Sequence, residues 1–287
     1  MEINRNVLLP NLLTVANGVC GFAAITVLFK VSLVPGSTPL DFTVPAAFST
    51  AAWLILLGMV FDVFDGKVAR LSGGSSALGA QLDSLCDLVT FGLAPALIML
   101  RLSMGYEPTW QRLVWFFSLA YFLGALLRLA RFTAENEPDE GAHVAFKGLP
   151  SPGAAGCVAS LVIFYSYISD FKARELQWVS SVFAPETLKD IVSYIPRLLP
   201  CLGLLLGFTM ISNRLRFEHF GSWFFNRKHS FDFFAYLIFG AILTAVVPEV
   251  VLPVVFLGYL IYTPVKWLLG HRSIRKQARL HDGSRTP

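Results

Sequence analysis

Long apolar runs recur along this chain of 287 residues, and they limit its fold more than any other feature of the sequence. Hydrophobic residues make up 55% of the chain, charged residues make up 15%, and the mean hydropathy is +0.60. A soluble domain of this length usually carries about 25% charged residues. Because backbone polar groups need internal partners in lipid, apolar runs of roughly twenty residues predict transmembrane α-helices. The sequence therefore predicts a single all-α integral membrane domain.

The apolar runs predict about eight transmembrane helices of roughly twenty residues each. Their approximate limits are Leu9–Phe29, Pro45 through Asp65, Leu82–Leu100, Val114–Phe132, Pro152–Ile168, Ile195–Ser212, Phe231–Val247 and Val250–Leu269. If the N-terminus is cytoplasmic, sixteen of the 23 lysines and arginines lie on the cytoplasmic side. Positive charge accumulates on that side in multi-pass proteins. We therefore expect both termini, and the junction of the second and third helices, at the cytoplasmic face of the cell (inner) membrane.

Four aspartates interrupt the apolar pattern where the second predicted helix ends and the third begins: Asp62, Asp65, Asp83 and Asp87. Carboxylates at such depth are costly and usually functional. Each pair shares one helix face, because its members are three or four residues apart, and an antiparallel hairpin brings the two faces together. Convergent carboxylates repel one another unless a cation lies between them, and hard oxygen ligands suit Mg²⁺ or Mn²⁺. The alternative interpretation is that these acids are charges or caps at helix ends.

The residues around the aspartates favour a phosphate ligand. Gly66 and Ala69 follow Asp65, and their small size lets a ligand approach the helix backbone. Arg70 offers a planar guanidinium that matches phosphate geometry, and Gly79 opens the third helix without side-chain bulk. The pattern Asp62-x-x-Asp65-Gly66-x-x-Ala69-Arg70, eight further residues, then Gly79-x-x-x-Asp83-x-x-x-Asp87 resembles the signature of the CDP-alcohol phosphatidyltransferases at every fixed position.

A second polar stretch lies near the end of the fourth predicted helix. Arg128 and Arg131 are three residues apart, so both can face the aspartates; positive anchors at the membrane interface are the alternative. The turn Phe146–Pro152 then precedes the fifth helix, which is also an ordinary proline-fixed helix start. The RLARF and GLPSP segments, and an opening PNLLTVANGVCGF that carries Asn11 and Asn17, resemble the phosphatidylserine synthase branch of the family. Thr133 departs from that resemblance, since Asn is expected there.

This resemblance implies transfer of a phosphatidyl group from CDP-diacylglycerol to L-serine, with membrane lipid around the enzyme, no nucleic-acid partner and a homodimeric assembly. It implies that Mg²⁺ or Mn²⁺ binds the four aspartates and that Asp87 is the catalytic base. It assigns CDP-diacylglycerol to Asp62, Gly66, Ala69, Arg70 and Gly79, and the serine carboxylate to Arg128, Arg131, Lys147 and Ser151. About residues 8–215 are expected to form a catalytic six-helix core, and about residues 216–287 two extra helices and a basic tail.

Two alternatives remain open at this stage. Inositol phosphate or glycerol phosphate is another possible acceptor within the same family, because a phosphate group attracts arginines as strongly as a carboxylate does. A transporter or ion pathway belongs to a different class, since acids within the membrane also line proton and cation routes. The aspartates lie at one edge of the bilayer and occur within the full signature, which favours the enzyme.

Overall fold

The computed structural model describes residues 5–30, 43–72, 77–104, 106–135, 148–171, 185–212 and 231–282. No strand occurs among them, which confirms the all-α prediction. The elements are α1 (Arg5–Lys30), α2 (Thr43–Ser72), α3 (Ala77–Asp87), a π-helical segment (Leu88–Leu93), α4 (Ala94–Leu102), α5 (Pro108–Glu135), α6 (Ser151–Phe171), α7 (Pro185–Ile211), α8 (Phe231–Val246) and α9 (Pro248–Asp282).

Seven stretches of the described residues are long and apolar enough to cross a membrane. They lie in α1, α2, the continuous run Leu78–Leu102, α5, α6, α7 and α9, while α8 is shorter at 16 residues. This pattern confirms a multi-pass membrane protein of about eight helices. α2 continues past the predicted end at Asp65 to Ser72, so the part of the signature from Asp62 to Arg70 lies on one helix.

The third transmembrane helix changes from α to π geometry directly after Asp87. Such segments add one residue to a helical turn and are frequent at functional sites. Contacts with two other helices hold this one in place. The Oγ1 of Thr90 donates to the backbone oxygen of Asn17 at 2.9 Å, and the Tyr121 hydroxyl donates to the backbone oxygen of Phe91 at 2.9 Å. The segment is therefore bonded to both α1 and α5.

Small residues allow several helices to pack with their backbones close together, as is common between transmembrane helices. A Cβ atom added to Gly124 of α5 would lie 2.7 Å from the backbone oxygen of Gly207 in α7. Gly156 of α6 faces the ring of Phe256 in α9, where a Cβ atom would overlap the ring. The apolar core runs from α1 and α2 through α4 to α5, α6 and α7. It holds the aspartates of α2 and α3 against the polar ends of α5 and α6.

Candidate active site

Three of the four predicted aspartates form a compact acidic cluster. One carboxylate oxygen each from Asp62, Asp83 and Asp87 lies within 4.8 Å of the others. Asp87 is buried, while Asp62 and Asp83 are half-buried. The helical period of α2 and α3 turns these residues toward each other, as their spacing predicts.

The acidic cluster has the chemistry of a divalent metal site. The Oδ1 atom of Asp83 is buried and has no hydrogen-bond partner in the described part of the protein. A buried polar atom without a partner is costly, and a negatively charged one most of all. Carboxylate oxygens are the ligands that Mg²⁺ and Mn²⁺ prefer, and a bound cation offsets the repulsion between the three acids. The cluster could therefore bind a metal ion.

Asp65 lies outside this cluster of three. Its side chain is buried, and Thr14 Oγ1 lies 2.9 Å from its Oδ2 atom. The same hydroxyl lies 3.1 Å from the backbone oxygen of Pro10 in its own helix. The carboxylate of Asp65 therefore contacts α1. A metal contact for Asp65 stays a prediction.

The first helix also contacts Asp87. The Nδ2 atom of Asn17 donates to Asp87 Oδ1 at 2.8 Å, and both side chains are buried. One residue further along, a Cβ atom on Gly18 would lie 2.8 Å from the Sγ atom of Cys86. The absence of a side chain at Gly18 thus allows α1 to approach α3 closely. Because of that approach, a side chain as short as asparagine can reach the acidic cluster.

The predicted CDP-diacylglycerol residues lie on the α2 and α3 segments that carry the aspartates. The Nε atom of Arg70 donates to the backbone oxygen of Gly66 at 3.0 Å, and its side chain is exposed. A Cβ atom on Gly66 would meet only the Arg70 guanidinium, at 4.0 Å, so this face of α2 is open. Ala69 and Gly79 are half-buried. The open face has room for a ligand beside the acidic cluster.

Arg128 of α5 joins the acidic cluster to the start of α6. Its side chain is buried, and its Nη1 atom donates to the Oγ of Ser151 at 3.0 Å. The guanidinium is close enough to Asp87 and Asp62 for direct electrostatic attraction. Its Nε atom is buried and has no hydrogen-bond partner among the described residues. The guanidinium thus keeps one buried donor without a partner among the described residues, and such a donor can pair with an anion.

The other predicted acceptor residues differ from Arg128 in their contacts. Arg131 is half-buried, and its Nη1 atom donates to the backbone oxygen of Ile211 in α7 at 3.4 Å. Lys147 lies outside the described residues.

The GLPSP turn is also bound to α7, because the backbone nitrogen of Leu149 donates to the Thr209 oxygen at 3.1 Å. Gly148 has φ +89°, in the left-handed region that favours glycine, and a Cβ atom there would overlap the backbone oxygen of Met210.

The sequence alone indicates no role for Thr14, and it shows Asn17 only as a polar group in an apolar run. A signal for both was present, because they are three residues apart and so share one face of α1. Thr133, where the family resemblance predicts Asn, also reaches the site. Its Oγ1 atom lies 3.2 Å from the Oγ of Ser84, which is next to Asp83. A side chain at this position therefore links α5 to α3.

Comparison with known proteins matches residues 7–185 to the family described as CDP-alcohol phosphatidyltransferase. Several similar proteins carry the name CDP-diacylglycerol–serine O-phosphatidyltransferase. One from Helicobacter pylori is 31% identical over 269 residues, which cover 93% of this chain and 94% of that protein. One from Saccharomyces cerevisiae is 36% identical over 56% of this chain and 58% of its own length, and one from Bacillus subtilis is 31% identical over 56% and 78%.

Proposed function

This chain belongs to the CDP-alcohol phosphatidyltransferase family, and we propose that it transfers the phosphatidyl group of CDP-diacylglycerol to the hydroxyl of L-serine. The observation that carries the proposal is a buried guanidinium, that of Arg128, which is attracted to Asp87 and Asp62. These are two of the three carboxylates that each have one oxygen within 4.8 Å of the others. The products are phosphatidylserine and CMP. The names of the similar proteins support serine as the acceptor, and one of them aligns with 93% of this chain.

The aspartates bind Mg²⁺ or Mn²⁺ through Asp62, Asp83 and Asp87, with Asp65 as a further ligand. A divalent ion in this position supplies charge neutralisation for the pyrophosphate and for the CMP that leaves. The residues themselves position the donor substrate. Gly66, Ala69 and Gly79 leave room for its head group, and Arg70 binds phosphate oxygens with its planar donors. Asp62 contacts the same head group from the cluster.

The acceptor binds on the other side of the acidic cluster. Arg128 binds the serine carboxylate, with Ser151 holding the guanidinium in place at 3.0 Å. Arg131 and Lys147 add positive charge around the same carboxylate. An amino alcohol without a carboxylate is then a poor acceptor, because a buried guanidinium is left without its anionic partner.

The reaction needs one proton transfer and one displacement at phosphorus. The serine oxygen forms a bond to the phosphorus that carries the diacylglycerol, and the bond from this phosphorus to the bridging oxygen of the pyrophosphate breaks. Asp87 accepts the proton of the serine hydroxyl, while CMP leaves with the bond electrons. Most of the rate enhancement then comes from positioning and from electrostatic stabilisation of the developing charge.

We propose that the chemistry takes place at the cytoplasmic face of the cell (inner) membrane, because the positive-inside rule predicts the acidic cluster on that side. We expect a homodimer, with about residues 8–215 as the catalytic core and the remaining helices as an addition to it.

A cysteine introduced at Ser75, in a chain without its four native cysteines, tests the orientation of the protein in the membrane. It should react with an impermeant thiol reagent only after the inner face is opened. Reaction from outside intact cells contradicts this orientation.

The decisive experiment is an acceptor panel with purified full-length protein in lipid nanodiscs. CDP-diacylglycerol is supplied with Mg²⁺ or Mn²⁺, and L-serine, glycerol phosphate, inositol phosphate and ethanolamine are compared by CMP release and by the mass of the lipid product. Serine should be the best acceptor, and excess chelator should abolish CMP release. A phosphate acceptor that exceeds serine overturns the proposed acceptor, and full turnover in chelator overturns the metal.

A further inference from the structure

A buried amide lies in the middle of an apolar helix next to the acidic cluster. Asn17 of α1 is fully buried, and its Nδ2 atom donates to Asp87 Oδ1 at 2.8 Å. Burial of an amide in an apolar environment costs free energy unless hydrogen bonds replace those made with water. Its Oδ1 atom has no hydrogen-bond partner in the described part of the chain. An apolar residue avoids this cost, so packing alone does not explain an asparagine at this position.

The surrounding residues hold the amide in one place. A Cβ atom on Gly58 of α2, one helical turn before Asp62, would lie 2.8 Å from Asn17 Oδ1 and 2.7 Å from Thr90 Cγ2. The space beside Gly58 is therefore filled by the asparagine amide and the threonine methyl group. Thr90 also donates its hydroxyl to the backbone oxygen of Asn17 at 2.9 Å. Three elements, α1, α2 and the π-helical segment, thus fix the position from which the amide meets Asp87.

This hydrogen bond suits a carboxylate that ligates a metal ion. An amide N–H group is a neutral donor, so it orients a carboxylate without adding a positive charge that competes with a metal ion. Hydrogen bonds to ligating carboxylates set their orientation and the affinity of the metal. A lysine or arginine at the same position would pair with Asp87 and neutralise the cluster instead.

We propose that Asn17 is a positioning residue for Asp87, which it holds in the orientation needed for metal binding and for accepting the serine proton. Asn17 acts through Asp87, which accepts the hydrogen bond from its amide nitrogen. This inference rests on the proposed function, and it adds a residue of α1 to a site whose predicted members come from α2, α3, α5 and the start of α6.

The test measures metal binding apart from catalysis. Purified full-length protein and its Asn17→Leu variant, which keeps a side chain of similar shape, are titrated with Mn²⁺ and followed by electron paramagnetic resonance. The Mn²⁺ dissociation constant should rise about tenfold to a hundredfold, the usual effect of losing a hydrogen bond to a ligand. The kcat for phosphatidylserine formation should fall, while the KM for serine stays within about twofold, because no acceptor contact changes. Wild-type Mn²⁺ affinity in the folded variant overturns the inference.

Two further variants separate positioning from a general packing defect. Gly58→Ala retains the asparagine but adds a methyl group 2.8 Å from its amide oxygen, which must then shift. This variant should therefore also weaken Mn²⁺ binding. Thr26→Val removes another hydroxyl from α1, one that donates only to Phe22 of the same helix, and it should leave Mn²⁺ affinity unchanged. Equal losses in all three variants overturn the inference in favour of a general packing defect. Failure of serine as an acceptor overturns the proposed function and leaves the Mn²⁺ comparison intact.

Discussion

The two halves of the site are assembled differently. In the aspartate half, Asp65 and Asp87 contact side chains of α1, and all four acids come from one stretch between Asp62 and Asp87. In the arginine half, Arg128 contacts a side chain of α6, whereas Arg131 contacts a backbone oxygen of α7. Side-chain contacts to a neighbouring helix thus position Asp65, Asp87 and Arg128. The contact of Arg131 depends on a backbone oxygen, so it does not require a particular side chain at Ile211.

We expect the two halves of the site to have different roles in the reaction. Under the proposed function, the aspartate half holds the metal ion and provides the base. Under the same proposal, the arginine half binds the acceptor, and it lies at the ends of α5, α6 and α7. Substitutions in the first half should therefore affect kcat and metal binding, and those in the second should affect the KM for serine.

The largest effect is expected from Asp83→Asn, which keeps the size of the side chain but removes a charge whose Oδ1 atom has no protein partner among the described residues. Loss of electrostatic stabilisation in the transition state should lower kcat by roughly a hundredfold to a thousandfold or more. Mn²⁺ binding should weaken in parallel. Glu107→Gln, which removes an exposed carboxylate from the segment before α5, is the control and should retain activity. Metal-stimulated turnover near the wild-type rate in Asp83→Asn rules out this role.

A smaller effect, confined to the acceptor, is expected from Arg128→Ala. Loss of charge-assisted hydrogen bonds to serine should raise its KM roughly tenfold to a hundredfold, since such bonds contribute about 1.5–3 kcal/mol each. Steady-state kinetics at saturating CDP-diacylglycerol measures this value, and Ser151→Ala should show the same change in weaker form. Arg128 also attracts Asp87 and Asp62. A loss of Mn²⁺ binding with an unchanged KM for serine would therefore assign Arg128 to the aspartate half and contradict its role in acceptor binding.

A moderate effect on stability is expected from Gly148→Ala at the GLPSP turn. The backbone there has φ +89°, and a methyl group would overlap the Met210 oxygen. Strain of this kind costs about 1–3 kcal/mol, so thermal unfolding in detergent should occur a few degrees lower. Gly258→Ala is the matched control, because a Cβ atom there meets nothing within 4 Å. If Gly148→Ala also unfolds at the wild-type temperature, the contact between the turn and α7 does not stabilise the arginine half.

The smallest effect is expected from Arg131→Ala. This side chain is only half-buried and contacts the Ile211 oxygen at 3.4 Å, so its share in acceptor binding should be below about 1 kcal/mol. The KM for serine should rise roughly twofold to fivefold, with kcat unchanged. Arg131→Lys, which keeps the positive charge, should be closer to wild type. A rise in KM equal to that of Arg128→Ala would show that both arginines bind the carboxylate directly.

The amino-acid sequence by itself determined the helical membrane fold and most of the aspartate half. Hydropathy over a run of roughly twenty residues identifies a transmembrane helix without knowledge of its neighbours. Spacings of three and four residues assign Asp62 and Asp65 to one helix face and Asp83 and Asp87 to another, because the helical period is a local property. The resemblance to the family also rests on that continuous stretch, and the match over residues 7–185 bears it out.

Only the tertiary structure decided which partners these side chains have. Asp65 contacts Thr14 at a separation of 51 residues, and Asp87 contacts Asn17 at a separation of 70. Such pairs depend on how closely two helices approach, which glycines such as Gly18 permit but do not specify. The π-helical segment after Asp87 and the contact of Arg128 with Ser151 depend on packing in the same way. Contacts between helices far apart in the chain arise from the shape of the whole bundle, which no local pattern of residues contains.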